Sequence, residues 1–123
     1  RVNLLIAVLD KRLGMHLGGM DIFANVVGGL KIDEPAVDMA IIAAIASSFK
    51  NKAVNAETFV FGEVGLSGEL RAISQAEIRI KEAAKLGLKR GLIPAGNLHN
   101  IKESDIEVIG ARNVEEALEI LFF

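Results

Sequence analysis

Residues 28–40, GGLKIDEPAVDMA, combine residue types that are typical of an active-site rim. Two glycines and a turn lead to Asp33, Glu34 and Pro35, and proline is well placed in the first turn of a helix, with either acidic residue as its cap. A nucleophile directly after this proline would be exposed at the helix start. The residue there is Ala36, and its methyl group cannot attack a substrate. The stretch therefore has the frame of a nucleophilic site without the nucleophile.

The elements that position this stretch follow from hydrophobic periodicity and from Gly and Pro signals. We predict helices over 3–12, 35–49 and 74–86 and after Asn113, and strands over 21–27, 58–61, 90–94 and 107–109, with a hairpin-like turn in 62–73 leading into one more strand. Gly87 is expected to cap the helix over 74–86. This order of elements predicts an α/β fold of the α+β type, in which helices pack on one mixed sheet.

Two of these helices also carry predictions about burial. The helix over 35–49 is apolar almost all round, which predicts a central position with at least two of Ile41, Ile42 and Ile45 fully buried. In the helix over 74–86, we expect Ile78, Ala83 and Leu86 to face inward.

Composition excludes several classes of function. The chain has 51% hydrophobic and 24% charged residues and a net charge of -2, so it can bury a core and has no overall basic field for nucleic acid. The absence of cysteine excludes disulfides, thiolate nucleophiles and cysteine-ligated zinc. His16 and His99 do not have the spacing of metal ligands. No signal peptide or membrane span is recognisable, which favours a cytoplasmic protein without membrane partners.

Three stretches carry a more specific signal: VVGGLKIDEPAVDMAIIAAIASS, VFGEVGLSGELRAISQAEIRIKEAAKLGLKR and IPAGN. They resemble the C-terminal domain of the RadA (Sms) family of bacterial DNA repair and recombination proteins, which itself resembles the proteolytic domain of Lon. The resemblance covers nearly the whole chain. It implies one domain over 1–123 with the fold of the Lon proteolytic domain and of domain 2 of ribosomal protein S5.

The resemblance also implies where catalytic residues would lie. Lon-type peptidases use a serine nucleophile and a lysine general base. The serine of the family pattern falls on Ala36, and the lysine, counted without a gap from Gly62-Glu63-Val64, falls on Glu77. Neither residue is present, so the resemblance implies a pseudo-protease with no catalytic residue. Asp33, Glu34 and Asp38 would also repel a developing oxyanion.

Other chemistry within the chain is not favoured. A serine at 47, 48, 67 or 74 could in principle act as nucleophile, but each lies at a helix end or in a turn, where serine is common. The stretch GEVGLSGE lacks the Gly-Lys-Ser/Thr ending of a phosphate loop. We therefore expect no cofactor here. The chain begins without Met, which suggests a fragment, and the resemblance implies ATP, Mg and Zn only in missing upstream zinc-finger and RecA-like ATPase domains.

Basic residues suggest a second role. Arg71, Lys50, Lys52 and Arg79 are the candidate DNA contacts, and Arg71 ranks first because its partner carboxylate is the least obvious from sequence. Phosphate contacts require only well-placed positive charge. The alternative is an ordinary solvated helix face, since Glu77 and Lys81 are spaced i, i+4.

Assembly is the main role that the resemblance implies, since the family resembles hexameric ring ATPases in which a Lon-like domain would serve as a ring platform. Exposed apolar groups at Leu66, Leu70, Phe122 and Phe123 would suit a subunit interface, although the two phenylalanines could instead seal the core. The function expected is an inactive platform in a DNA-dependent ATPase of branch migration and recombinational repair, contacting DNA through the ring. The alternatives are a residual Lon-family Ser-Lys peptidase and a module that recruits a recombinase or the replicative helicase machinery.

Overall fold

The computed structural model describes residues 4, 5, 7, 8, 34–102 and 106–122. The helix predicted over 3–12 is helical at its four described positions. The strand predicted over 21–27, the glycines at 28 and 29, and the predicted site residues Asp33 and Phe123 lie outside the described residues.

From residue 34 onward the chain alternates helices and strands. A 3-10 turn (Pro35–Val37) leads into helix α1 (Asp38–Lys50); then come strands β1 (Thr58–Val60), β2 (Glu63–Val64) and β3 (Leu70–Arg71), helix α2 (Ala76–Lys85), strand β4 (Arg90–Pro94), a 3-10 helix (Ala95–Asn100), strand β5 (Glu107–Ala111) and helix α3 (Val114–Phe122). The predicted helices and strands of this part are confirmed, with bounds that shift by a few residues. Asn113 caps α3 as predicted, since its side-chain oxygen accepts the backbone N–H of Glu116 at 2.8 Å.

The described strands form two sheets. Strands β1, β4 and β5 are all parallel, in the order β1-β4-β5, whereas β2 and β3 form a separate antiparallel hairpin. The α/β class is thus confirmed, but the single mixed sheet is wrong for the described residues. The chain leaves the sheet at Gly62, which has a φ of +154° and where an added Cβ would lie only 3.1 Å from Pro94 Cγ, so there is little room for a side chain.

Helices cover both faces of the parallel sheet, as parallel strands require. Adjacent residues of β4 point to opposite faces: Leu92 packs in a cluster with residues of α1 and α3, and Ile93 packs in another with residues of α2. The core therefore lies in two layers on either side of β4.

The burial of α2 differs from the prediction. Ala76, Ile80 and Ala83 are buried, whereas Ile78 is 55% exposed and Leu86 is 79% exposed. The buried stripe thus runs at i, i+4 and i+7 from Ala76, the first residue of α2, as the helical period allows. Of the three residues predicted to face inward, only Ala83 does so. Gly87 follows the helix with φ +83°, as expected of a C-terminal glycine.

Helix α1 is less central than its composition predicts. Ile42 is fully buried, but Ile41 and Ile45 are only half-buried at the margin of the cluster, so the prediction that two of the three are fully buried is wrong. Ala44, Ser48 and Phe49 are exposed. One face of α1 therefore meets solvent, although most of its residues there are small or apolar.

Candidate functional site

Ala36 lies in the 3-10 turn and is 4% exposed, so the prediction that this position is open to a substrate is wrong. The cause is a tight contact between this turn and the chain at Gly62. The backbone N–H of Gly62 donates to the carbonyl oxygen of Ala36 at 2.9 Å, and the N–H of Met39 donates to the carbonyl oxygen of Gly62 at 3.0 Å. A side chain at position 36 therefore lies inside this contact.

The backbone donors after Ala36 are already in use. The N–H of Val37 donates to the Glu34 carbonyl oxygen at 3.1 Å, and the N–H of Asp38 donates to that of Pro35. With Met39 bound to Gly62, three successive N–H groups are directed at protein carbonyls. Acyl transfer needs free donors for the oxyanion. These three residues supply none.

Asp38 has a structural position rather than one facing a substrate. Its carboxylate is fully buried, and its Oδ2 accepts the backbone N–H of Val64 at 3.0 Å. This bond ties the first turn of α1 to β2, and an anion is also favourable at the start of a helix. Asp38 therefore holds the hairpin against α1.

Glu34 pairs with Arg79 instead of capping a helix. Its side chain makes no capping hydrogen bond, and its Oε1 lies 2.7 Å from Arg79 Nη2. Arg79 Nε also donates to the carbonyl oxygen of Ser74 at 3.3 Å. This ion pair joins the turn that contains Ala36 to α2, on which Glu77 is half-buried. The segments that contain Ala36 and Glu77, the positions where the resemblance would place a serine and a lysine, are thus linked, and Arg79 is already engaged by a carboxylate.

The hairpin between β2 and β3 has a closely fixed turn. Gly65 N–H donates to the Glu69 carbonyl oxygen, and Gly68 N–H donates to that of Gly65, both at 2.9 Å. The Glu69 carboxylate lies over Gly65, where a Cβ would collide with it. Leu66 is 71% exposed at the tip, as an interface candidate should be. Leu70 is only 8% exposed, so it belongs to the core and its predicted exposure is wrong.

Arg71 lies between two carboxylates. Its Nη2 is 3.1 Å from Glu69 Oε2, and its Nη1 is 3.4 Å from Glu63 Oε1. Hydrogen bonds from the backbone N–H of Glu69 and from Arg71 lower the pKa of the Glu69 carboxyl, and this carboxylate in turn raises the pKa of Arg71. Two carboxylates around one guanidinium leave an excess of negative charge. The reason for ranking Arg71 first as a DNA contact is therefore wrong.

Four basic residues lie at the end of the parallel sheet where the strands begin. Helix α1 begins beside Gly62, at the carboxyl end of β1, and runs back toward the amino ends of the strands, where Lys50 and Lys52 are exposed. The backbone N–H of Lys89 donates to the Glu57 carbonyl oxygen at 2.9 Å, which brings Lys89 and Arg90 to the same end. We call this group of four basic residues the basic end. Lys89 and Arg90 were not selected as DNA contacts from the sequence, although Lys89 directly precedes the strand predicted over 90–94 and Arg90 is its first residue.

The IPAGN motif has a structural explanation. Asn97 is 1% exposed, and its side-chain amide forms two hydrogen bonds with Ile73, accepting its N–H and donating to its carbonyl oxygen, each at 2.9 Å. A buried amide can satisfy both backbone groups of one residue in this way. Asn97 therefore fixes the segment that leads from the hairpin into α2.

Other candidate groups do not assemble into a site within the described part of the chain. The Ser47 hydroxyl donates to the carbonyl oxygen of Lys52, and Ser48, Ser67 and Ser74 are exposed in turns or at a helix end. Among residues 34–102 and 106–122, no group of three or more His, Asp or Glu could hold a metal ion. None of the described helices has the length and hydropathy needed to cross a membrane.

Comparisons with known proteins identify relatives. The chain is 55% identical over 119 residues to the DNA repair protein RadA of Bacillus subtilis and 50% identical over 121 residues to that of Halalkalibacterium halodurans, covering 96% and 98% of this chain. It is 43% identical over 123 residues to the RadA of Streptococcus pneumoniae. The chain spans only 26% to 29% of the length of these relatives.

A protein-family model described as "Subunit ChlI of Mg-chelatase" matches residues 6–97, which is most of the chain. This match includes the turn at Ala36, helices α1 and α2, the hairpin and the IPAGN motif. We conclude that the chain belongs to the family described as subunit ChlI of Mg-chelatase.

Proposed function

We propose that this chain is a non-catalytic domain of a DNA repair protein and that it acts by assembly and binding. Relatives named DNA repair protein RadA, aligned over nearly the whole chain, support the role in repair. We also propose that residues 1–123 form one domain and that this domain resembles the proteolytic domain of Lon. So is a cytoplasmic location, since the relatives are bacterial repair proteins.

One observation carries the non-catalytic role. The position where a Ser-Lys peptidase would have its serine holds a buried methyl group, and the N–H groups of Val37, Asp38 and Met39 donate to carbonyl oxygens of the protein itself. A nucleophile and free oxyanion donors are the minimum for acyl transfer. This supports a pseudo-protease over a residual Lon-type peptidase.

The direct test is an assay of the purified chain with a mixture of fluorogenic peptides and with unfolded casein. We expect no cleavage above buffer, whereas a known serine peptidase assayed in parallel should cleave both. Cleavage that a serine-directed covalent inhibitor abolishes would contradict the proposal. It would also revive the peptidase alternative with one of the four described serines as nucleophile.

A second candidate function is contact with DNA through the basic end. The three arginines at the opposite end are each paired: Arg71 with Glu69 and Glu63, Arg79 with Glu34, and Arg112 with Glu116 at 3.2 Å. The basic end has four basic residues of two separate segments at the starts of the strands, where Glu57 and Glu107 are the neighbouring acidic residues placed by backbone hydrogen bonds and strand register. Phosphate contact depends on local positive charge in excess of negative charge, which favours the basic end over Arg71 and Arg79.

Salt titration of DNA binding tests this surface. With a fluorescent DNA duplex at low salt, we expect weak binding. The logarithm of the association constant should fall linearly with the logarithm of the salt concentration. Lys89→Glu and Lys52→Glu should each weaken binding and reduce the salt slope by about one. The matched control Arg71→Glu should change neither. Loss of binding in the control alone would contradict this placement.

The role of the whole protein is a wider proposal. We infer a DNA-dependent ATPase of branch migration, assembled as a hexameric ring, in which ATP, Mg and Zn are bound outside this chain. A recombinase or the replicative helicase machinery are the proposed partners. A pull-down with the chain as bait distinguishes a recruiting module, which retains such a partner, from a platform that binds only itself.

A further inference from the structure

We propose that the outer edge of β5 binds an extended segment of another protein, which adds one strand to the parallel sheet. The segment that fits this edge has apolar residues on one face and lysine or arginine on the other. This inference goes beyond the proposed function, since the ligand is neither DNA nor a second copy of the chain.

Strand β5 lies at one edge of the described sheet, whose order is β1-β4-β5. The N–H of Glu107 donates to the Lys89 carbonyl oxygen at 3.1 Å, so Glu107 directs its backbone groups at β4. Since alternate residues of a parallel strand bond to the same neighbour, Ile109 does likewise. Val108 and Gly110 therefore direct their N–H and C=O groups outward, where none of the described strands pairs with β5.

The edge of β5 is regular and partly accessible. Its sequence, EVIGA, has no lysine or proline, the residues that commonly prevent a sheet edge from pairing with another chain. The register with β4 is continuous from Glu107 to Ala111. Val108, Ile109 and Gly110 are each half-buried, so part of the edge can be reached. An edge of this kind binds peptides by strand addition.

One face of an added strand would meet an apolar surface. Val108 and Gly110 lie on the face of the sheet that packs against α2, since Val108 belongs to that cluster. Leu98 of the 3-10 helix lies over Gly110 on this face, where an added Cβ would be 2.5 Å from Leu98 Cδ1. Leu98 is nevertheless 42% exposed. An apolar side chain of the partner can therefore pack against it.

The other face of an added strand would meet negative charge. Glu107 lies on the same face of β5 as Ile109, which packs in the cluster with residues of α3. Arg90 is the register partner of Glu107 on β4 and offsets part of its charge. The acidic residues of α3 have no such neighbour in the register: Glu115 and Glu119 are exposed and lie one helical turn apart. This face therefore favours basic residues in the partner.

The segment that forms this edge also has an overall excess of negative charge. Residues 106–122 contain four glutamates and one arginine. The arginine, Arg112, is paired with Glu116 at 3.2 Å, whereas Glu115 and Glu119 form no ion pair with any described residue. Their charge acts over roughly 8 Å at physiological salt, which is enough to attract lysine or arginine of an extended partner.

The direct test is amide hydrogen exchange with and without a blocked octapeptide of alternating valine and lysine. In the free chain, the N–H groups of Val108 and Gly110 should exchange faster than those of Ile109 and Ala111, which face β4. Peptide at about ten times its Kd should slow exchange at Val108 and Gly110 by about tenfold. Exchange at Ile109 and Ala111 should change much less. A peptide held by charge alone would not produce this alternation.

Two control peptides separate the backbone and charge parts of the contact. The valine–glutamate counterpart keeps the strand pattern but has the opposite charge, so it should protect neither amide. A valine–lysine peptide with all its backbone nitrogens methylated keeps the charge but has no N–H groups for the strand hydrogen bonds. It should also protect neither amide. Binding of the unmodified valine–lysine peptide should weaken as salt is added.

Variants of the chain locate the contact. Val108→Pro removes one outward N–H but no bond to β4, and proline is accepted at such edge positions. It should weaken peptide binding by about two- to tenfold, the range for one hydrogen bond. Glu115→Lys and Glu119→Lys should each weaken it by roughly two- to fivefold, the range for an exposed ion pair. Glu57→Lys, which makes the same charge change just before β1 at the opposite edge of the described sheet, should bind like the unchanged chain.

Three results would overturn the inference: no protection of Val108 and Gly110 by the valine–lysine peptide, equal binding of the valine–glutamate peptide, or unchanged binding by a Val108→Pro variant that melts as a folded protein. Protection of both amides in the chain alone, rising with its concentration, would also contradict it, because a second copy would then occupy the edge. Peptide hydrolysis and DNA binding are measured separately, so failure of this contact is distinguishable from failure of the proposed function.

Discussion

The carboxylate of Asp38 accepts the backbone N–H of Val64 at 3.0 Å, although the two residues are 26 positions apart in the chain. This bond joins the start of α1 to the hairpin, and with the Gly62 contacts it closes the region where a serine nucleophile would lie. Asp38, which the sequence analysis treated only as a carboxylate that would repel an oxyanion, thus has a role in holding the fold.

Replacing Asp38 should therefore destabilise the chain. Asp38→Ala removes the acceptor and leaves the Val64 N–H without it in a buried position, which costs about 1 to 3 kcal/mol. Asp38→Asn keeps a side-chain oxygen at nearly the same place and should cost less. Urea unfolding of both variants measures the difference; equal stability of Asp38→Ala and the unchanged chain would contradict a structural role.

Burial along α1 predicts a graded response to truncation. Ile42→Ala should lower the free energy of unfolding by about 2 to 5 kcal/mol, because Ile42 is fully buried. Ile41→Ala should cost clearly less, since Ile41 is half-buried. Both variants remove the same atoms from the same helix. The difference between their free energies of unfolding, measured by chemical denaturation, therefore reports the difference in burial. A larger loss for Ile41→Ala would mean that α1 is rotated.

Gly91 should tolerate no side chain. A Cβ at this position of β4 would collide with the ring of Phe59, which lies over it from β1. Gly91→Ala must displace this ring from its cluster, so we expect a loss at the upper end of the range for overpacking, about 3 kcal/mol. Gly96→Ala is the matched control, since a Cβ added there would have the Cβ of Ala72 as its nearest neighbour, at 3.3 Å. In thermal melts, the control should have a clearly higher melting temperature than Gly91→Ala.

The Glu69 carboxylate should contribute a pH-dependent part of stability. Its pKa is lowered in the folded state by its own backbone N–H and by Arg71. A lowered pKa means that the contribution is present above the unfolded value, near about 4.3, and is lost as the pH falls through the folded value. The difference in melting temperature between the unchanged chain and Glu69→Gln should thus be constant near neutral pH and shrink below about pH 4. A difference that grows on acidification would contradict this assignment.

The sequence predicted the helix ends correctly, because local signals determine them. Pro35, Gly87 and Asn113 mark helix ends correctly because caps and turns act within a few residues. The error on Ile78 arose because the large apolar residues were expected to face inward, whereas the stripe of α2 that packs consists of Ala76, Ile80 and Ala83.

Sequence patterns could not predict contacts between residues that are far apart in the chain. The hydrogen bonds of Asp38 with Val64 and of Asn97 with Ile73 join residues 26 and 24 positions apart. Glu63 reaches Arg71 only because the hairpin register places them opposite each other. The exposure predicted for Leu70 failed for a related reason, since its neighbour Arg71 faces solvent while the alternating side of the strand faces the core.

The proposal that this chain is no peptidase is tested most directly by an attempt to restore peptidase activity. The double variant Ala36→Ser, Glu77→Lys supplies both missing groups, and the single variant Ala36→Ser supplies the nucleophile alone. We predict that neither cleaves fluorogenic peptides above the unchanged chain, because the side chain at position 36 is buried and the N–H groups of Val37, Asp38 and Met39 are engaged. Removing one oxyanion donor already costs about 10² to 10³ in rate. Peptide hydrolysis by the folded double variant that is absent from the single variant Glu77→Lys, which keeps the alanine, would contradict the account.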